Sequence, residues 1–508
     1  MISNPRSMPS RLRSAALLLL CWACSSFFPA GNLSAQTQAS KYFGIHVVDE
    51  ATGRGVPLIE LRTVNDLRYV TDNAGWVAFY EPGLMDREVW FYVSGPGYEW
   101  KKDGFGYIGI RPTPKSGETF TVRLQRNNVA ERVGRLTGQG QFNASELLGL
   151  PLPLPNINPS GVMGQDSVQA VPYQDKIFWL WGDTNMPNYP LGNYNTTCAT
   201  TPREIDPEKG IAFEYYMDEK DPKRLRKMMP LEGPGAVWLF GLLTVKDESG
   251  KEVLLAHYGR HEGLKPHAEH GIARFDDETQ TFKSAVKLEM SNEWRYMQGH
   301  AVLSEDGYYY FCAPLPHTRV RATLADLLDP TKYEALWFDS EKGEWKWQKE
   351  HTPTNQEAEQ ILLKQEKMKM EQARFDIRDA ASNAPVLFHN ASVQWNPWRK
   401  RWILLGVQNG FKTKVPAPSP LGEMWYAESN APDGPWKKAV KVATHPRYSY
   451  YNPIHHSFLN KEGGKIIYFE GTYTLEFSGN PIAPARYDYN QLMYRLDLGD
   501  ERLAPARE

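Results

Sequence analysis

The stretch Gly164-Gln-Asp-Ser167, followed by Ile177-Phe-Trp-Leu-Trp-Gly-Asp183, decides how this chain is read. Five apolar or aromatic residues without alternation describe a strand buried on both faces. A glycine and an aspartate then end it, and a second aspartate lies seventeen positions upstream. The same design returns four times: Val253-Leu-Leu-Ala-His-Tyr-Gly-Arg260, Tyr308-Tyr-Tyr-Phe-Cys312, Arg401-Trp-Ile-Leu-Leu405 and Ile466-Ile-Tyr-Phe-Glu470. Three of the five are followed by a strand, a polar turn and an aromatic opening the next strand. They are Ala273 to Phe282, Leu336 to Trp345 and Met424 to Trp436. Repeats of this kind cannot bury their aromatic faces alone, and stacking them radially is the economical solution. The expected fold is therefore all-β, a five-bladed β-propeller over residues 160–498.

Upstream of it, residues 41–126 carry short strands at Lys41 to Asp49, Leu58 to Thr63, Trp76 to Tyr80, Val89 to Val93 and Thr119 to Leu124, between Gly, Pro and Asp punctuation. That spacing predicts a small β-sandwich. Gly55-Val-Pro57 and Thr71-Asp-Asn-Ala-Gly75 resemble the turns of transthyretin-like, carboxypeptidase-regulatory-type modules. Residues 127–159, with Pro151-Leu-Pro-Leu-Pro155, read as a linker. One insertion interrupts the repeats: residues 354–381, rich in helix formers, predict an amphipathic helix between the third and fourth units.

At the N-terminus, Arg6, Arg11 and Arg13 precede the apolar run Ala15 to Leu20, and small residues follow at Ser34-Ala35. This is the pattern of a secretory signal peptide over residues 1–35, too short for a membrane span. The expected location is secreted, periplasmic or at the cell surface. Cys24 is a candidate lipidation site that sits poorly in its context. Removing the three arginines takes the formal charge from −2 to −5, so nothing suggests a nucleic-acid surface. Cys198 and Cys312 remain, as a disulfide in an oxidising compartment or as two buried thiols.

In a propeller, loops at one end of the inner strands converge on a pocket, so distant polar residues meet there. Asp166 and Asp183 are the candidate catalytic pair. Glycoside hydrolysis needs one carboxyl group to protonate the leaving oxygen and another to activate water or attack carbon, and a shared apolar pocket separates their pKa values. Trp181, Asn185, Arg260, His270, His300, Asn390, Glu423, Tyr451, Asn452, His455 and Glu470 are the candidate substrate-binding residues. The histidine-rich run from His257 to His270 matches no zinc-ligand spacing, and neither metal nor cofactor is expected.

Gly164-Gln-Asp166 with Phe178-Trp-Leu-Trp-Gly-Asp-Thr184 is similar to the opening motif of a D-arabinan-cleaving endo-arabinanase branch within the five-bladed superfamily of arabinanases, levansucrases and invertases. The run Tyr487-Asp-Tyr-Asn-Gln-Leu-Met-Tyr-Arg-Leu496 matches secreted bacterial proteins without bringing an activity. The arabinanase resemblance implies a secreted glycoside hydrolase acting on a polysaccharide, furanose-containing, with Asp166 and Asp183 as the catalytic pair. The superfamily's third carboxylate does not align, and Glu423 or Glu470 would have to supply it. That departure keeps a second expectation open: a non-catalytic, carbohydrate-binding propeller.

Overall fold

The computed structural model describes residues 40–193, 195–263, 265, 268–412 and 419–507. The signal segment, Cys24 and His267 lie outside the described residues.

The chain is all-β, and most of it forms five consecutive sheets, each built on an antiparallel meander. Sheet one runs Gln169–Tyr173, Lys176–Trp181, Thr197–Pro202 and Glu214–Tyr215; sheet two runs from Ala236–Lys246 to Thr281–Leu288. Sheet three runs from His300–Leu303 to Glu344–Gln348, and sheet four from Phe388–Asn396 to Lys438–Ala443. Sheet five comprises Ser449–His455, Ile466–Thr474 and Asn490–Asp497.

The aromatic runs recognised in the sequence are the second strand of every sheet rather than the innermost one. Their continuous hydrophobicity follows from being covered on both sides. Along Lys176–Trp181, Ile177, Trp179 and Trp181 enter one core with Ile454 and Tyr468 of sheet five. Phe178 and Leu180 enter another with Leu239 and Leu254 of sheet two. The alternation repeats around the molecule. Tyr309 and Phe311 face sheet two, while Tyr310 and Cys312 face sheet four. Leu404 faces sheet three, and Ile403 and Leu405 face sheet five. Five cores thus separate five sheets, and the core between sheets five and one closes the ring.

The first strands of all five sheets line one central channel. Gln169–Pro172, Leu242–Thr244, His300–Leu303, Gln394 and Ile454–His456 surround a cavity of about 320 Å³. Towards the start of these strands it continues as a second cavity of about 370 Å³, bounded by Ser167, Phe240, His300, Asn390 and Asn452.

The ring closes with a strand that the sequence reading placed in the linker. Glu131–Arg135 pairs antiparallel with Asn490–Asp497 as the outermost strand of sheet five. All five of its residues are buried. Its composition, Glu-Arg-Val-Gly-Arg, hides it, because Glu131 and Arg132 are answered by partners far along the chain. Arg132 donates to the carbonyls of Pro57 (2.9 Å) and Pro96 (2.8 Å), both in the N-terminal module.

That module is a sandwich of two four-stranded sheets. Phe43, Ile45, Val47, Leu61, Phe79 and Phe91 fill its core. It is fastened to sheet five, since Tyr487 donates to the Thr71 carbonyl (2.9 Å) and Asn73 clasps the backbone of Arg135 through both side-chain groups.

The insertion after sheet three is α-helical over Gln356–Lys364, with a single 3-10 turn at Met370–Gln372. Asn355 caps it through the Ala358 amide at 2.9 Å. Glu359 is fully buried, where it accepts the amides of Arg374 and Phe375, so the segment folds back as a loop instead of extending the helix. Cys198 and Cys312 are free thiols in separate cores. Among the described residues, no helix is long and apolar enough to cross a membrane.

Candidate active site

Asp166 and Asp183 are held together by their own backbones. Gly164–Gln165 pairs with Asn185 and Thr184. Beyond this two-residue ladder the Gly182 amide donates to the Asp166 carbonyl (2.9 Å), and the Asp183 amide donates to Asp166 Oδ1 (2.9 Å). Two glycines make the approach possible. A Cβ on Gly182 would lie 2.4 Å from Asp166 Oδ1, and one on Gly164 would lie 2.3 Å from the Tyr489 carbonyl. Ser167 then turns the chain into the first strand of sheet one with φ of 54°, a left-handed conformation uncommon outside glycine.

The carboxyl groups reach in two directions. Asp166 Oδ2 accepts the hydroxyl of Tyr451 at 2.9 Å, and the Tyr489 hydroxyl also bonds this carboxyl. Asp183 Oδ1 accepts the indole N–H of Trp238 at 2.9 Å. Tyr451 belongs to the first strand of sheet five and Trp238 to the first strand of sheet two. The pair is therefore tethered to the innermost strands on either side of sheet one.

Burial pushes the Asp166 carboxyl up to about 6, and the neighbouring Asp183 charge adds to the shift against its hydrogen bonds. Asp183 is also raised, by burial, against the opposing Trp238 hydrogen bond. Two neighbouring carboxyls of this kind give up their protons in separate steps. Such a pair offers an acid and a base at once.

Beside it, Asn452 donates to Ser167 Oγ (2.7 Å) and accepts from Asn390 (2.9 Å), which bridges sheets one, five and four at the channel end. Asn452 has φ of 49°, a second left-handed residue at this position. The Oδ1 of Asn390 is buried without a partner. His300 is buried in the channel wall with Nε2 unpaired, and burial, with the charge of His456, drives its pKa down to about 3. His455 lines the deeper part of the channel, bonded to Asn460 at 2.9 Å, and burial lowers it to about 4. Asn185 lies on the strand opposite Gly164, half-buried.

Other expected residues are not brought here. Trp181 is fully buried against Trp179 and Phe213, because a second-strand side chain points into an inter-sheet core and not into the channel. Glu423 is 1% exposed and engaged by Lys441 (2.6 Å) and Thr444 (2.6 Å) beside the third strand of sheet four. Glu470 forms a buried pair with His456 at 2.6 Å. Neither glutamate stands as a third carboxylate beside the pair. Arg260 is bonded to Glu269 at 2.8 Å and to the Pro234 carbonyl, and His270 is buried between His257 and the Glu289 carbonyl. Tyr489 and Trp238 escaped the sequence reading. Tyr489 lies inside the run Tyr487 to Leu496, whose density of polar aromatics was the available signal. Trp238 had none beyond being a tryptophan.

No family model and no curated protein matches this chain. Solved structures that it resembles include an alpha-L-arabinanase mutant of Cellvibrio cellulosa, at 7% identity and a TM-score of 0.35, over 66% of this chain and 92% of that one. An alpha-L-arabinanase from Penicillium chrysogenum complexed with arabinobiose gives 10% and 0.33, over 73% and 99%. An exo-1,5-alpha-L-arabinanase from a bovine ruminal metagenomic library gives 10% and 0.32, over 66% and 93%. Likenesses this distant leave the chemistry of the site to its own geometry.

Proposed function

We propose that this chain is a glycoside hydrolase acting on a polysaccharide, with Asp166 and Asp183 as its catalytic carboxyls. The observation that carries the reading is the pair itself: two partly buried carboxyls, adjoining the end of a channel, tied to different inner strands and both raised in pKa. One carboxyl protonates the departing glycosidic oxygen while the other activates water or attacks the anomeric carbon. Tyr451, Tyr489 and the Asp183 amide hold Asp166 in place, and Trp238 holds Asp183, so little reorganisation accompanies the reaction. The sequence resemblance to arabinan-cleaving enzymes supports a furanose-containing substrate. The N-terminal arginine, apolar and small-residue pattern supports export, which places the protein among extracellular glycans; mass spectrometry of the mature chain should find its start near Ala35.

A second reading, a propeller that binds glycans without cleaving them, is favoured by the engagement of Glu423 and Glu470, which leaves the pair without the superfamily's third acid. Reducing-sugar release from a panel of arabinans, galactans and other polysaccharides separates the two. Hydrolysis by the parent and its loss in Asp183→Asn supports the enzyme. Binding without release supports the second reading, and release unchanged by the substitution refutes the assignment of the pair.

A further inference from the structure

The loop that joins Ile466–Thr474 to Asn490–Asp497 in sheet five holds an exposed ring beside the catalytic pair. Phe477 is 56% exposed and meets Tyr451 edge to face, with ring centroids 5.4 Å apart. Tyr451 is the residue whose hydroxyl bonds Asp166, so a single aromatic contact lies between the Phe477 ring and that carboxyl. The loop is tied down without help from the ring. Asp488 Oδ1 accepts the Leu475 amide (2.8 Å) and the Thr474 hydroxyl (3.0 Å). The Ser478 hydroxyl donates to the Leu475 carbonyl (2.6 Å), and Asn480 donates to the Arg447 carbonyl (3.2 Å). Phe477 nevertheless takes φ of 61°, a left-handed conformation in which a bulky residue is an outlier and glycine is at ease. Ser167, Asn452 and Tyr489, with φ of 54°, 49° and 55°, share that region, so four left-handed residues gather around Asp166. Strain of this kind collects where a ligand is held.

What covers the ring follows from the cavity that adjoins the same carboxyl. Ser167, next to Asp166, and Asn452, next to Tyr451, border the space of about 370 Å³ shared with His300 and Asn390. Two acceptors in its wall lack donors, Asn390 Oδ1 and His300 Nε2. His300 is 7% exposed, and its other ring nitrogen donates to the Pro453 carbonyl, so the neutral imidazole keeps its lone pair on Nε2. The occupant must therefore bring hydroxyl donors to the cavity and an apolar face to Phe477. A glycan does both, through its hydroxyls and its C–H faces, when successive units lie across the pair. Exposed charges on and around the loop are of both signs, Glu476 with Arg447 and Arg486, so no field of one sign calls for a membrane or a nucleic acid.

We infer that Phe477 is the stacking platform for the glycan unit next to the one held at Asp166 and Asp183, so that the site selects chains of two or more units over single-unit glycosides. The glycan is taken from the proposed function, and binding is therefore read apart from cleavage. The full chain carrying Asp183→Asn, which keeps the polymer intact, is run by affinity electrophoresis through gels containing arabinan, galactan or xylan. Retardation in at least one gel is expected, and adding Phe477→Ala should weaken the apparent affinity about tenfold, the worth of a lost ring contact. Phe477→Tyr, which keeps a ring, should keep the retardation. Phe477→Gly should bind as weakly as Phe477→Ala yet melt at a higher temperature, because glycine relieves the left-handed backbone. With Asp183 intact, Phe477→Ala should raise KM for the polymer about tenfold and leave kcat within about twofold. Equal retardation with and without the ring, none in any gel, or failure of Phe477→Tyr to retain it overturns the inference. So does a requirement for the ring in vesicle flotation or self-association instead of glycan binding. Hydrolysis that ignores the ring would refute the platform and spare the enzyme; ring-dependent retardation without hydrolysis would do the reverse.

Discussion

Replacing Asp166 by asparagine should make the protein more stable at neutral pH. The carboxyl is ionised there in a site that disfavours its charge, and its pKa of about 6 stands against an ordinary value of 3.8. At 1.36 kcal/mol for each pH unit, the difference comes to about 3 kcal/mol of folding free energy withheld from the native state, an upper bound because the partly exposed site is relieved by solvent. Asparagine retains the contacts: its Oδ1 accepts the Asp183 amide, and its Nδ2 faces the Tyr451 hydroxyl, which turns to accept. The pH dependence carries the sign. A carboxyl raised in the folded state stabilises the native chain only where it can be protonated, so the parent gains stability as pH falls from about 6 towards 4. The variant's advantage is therefore full above about pH 6.5 and gone near pH 4. Urea denaturation of both proteins at half-unit steps from pH 4 to 8 measures this directly, as the difference between their midpoints at each pH. A variant no more stable than its parent at pH 8, or an advantage that does not change with pH, would show that Asp166 is not electrostatically strained. The same variant should release no reducing sugar.

Gly182→Ala places a methyl group 2.4 Å from Asp166 Oδ1 and must displace that carboxyl, so turnover should fall about a hundredfold with the circular dichroism spectrum retained. Trp238→Phe removes the hydrogen bond that lowers the pKa of Asp183, and the acid-side limb of the pH–rate profile should move about one unit higher. Glu470→Ala strips a buried histidine of its hydrogen-bond partner and should cost about 1–3 kcal/mol in chemical denaturation. A chain begun at Asn127 keeps the closing strand of sheet five but loses the carbonyl partners of Arg132, so it should unfold at lower denaturant than the parent; one begun at Leu136 lacks the strand itself and should be recovered only as aggregate.

The class of fold was legible because the second strand of each sheet is buried on both faces, and a doubly buried strand must be written as an unbroken apolar run. Ile177 to Trp181 and its four counterparts are such runs, and the glycines that close Asp166 against Asp183 stand beside them in the same motif. What escaped the sequence is whatever depends on partners far along the chain. Glu131–Arg135 looks like a polar linker until Asn490–Asp497 takes up its backbone and Pro57 and Pro96 take up Arg132. Trp181 looks like a sugar platform until the ring of sheets assigns it to a core. Glu423 and Glu470 look like spare acids until Lys441 and His456 engage them. Local patterning records which residues are buried, because burial acts on each residue in its own strand. Which carboxyl meets a cation, and which meets only tyrosines and an indole at the channel end, is a matter of relative position, and closure of the five sheets decides it.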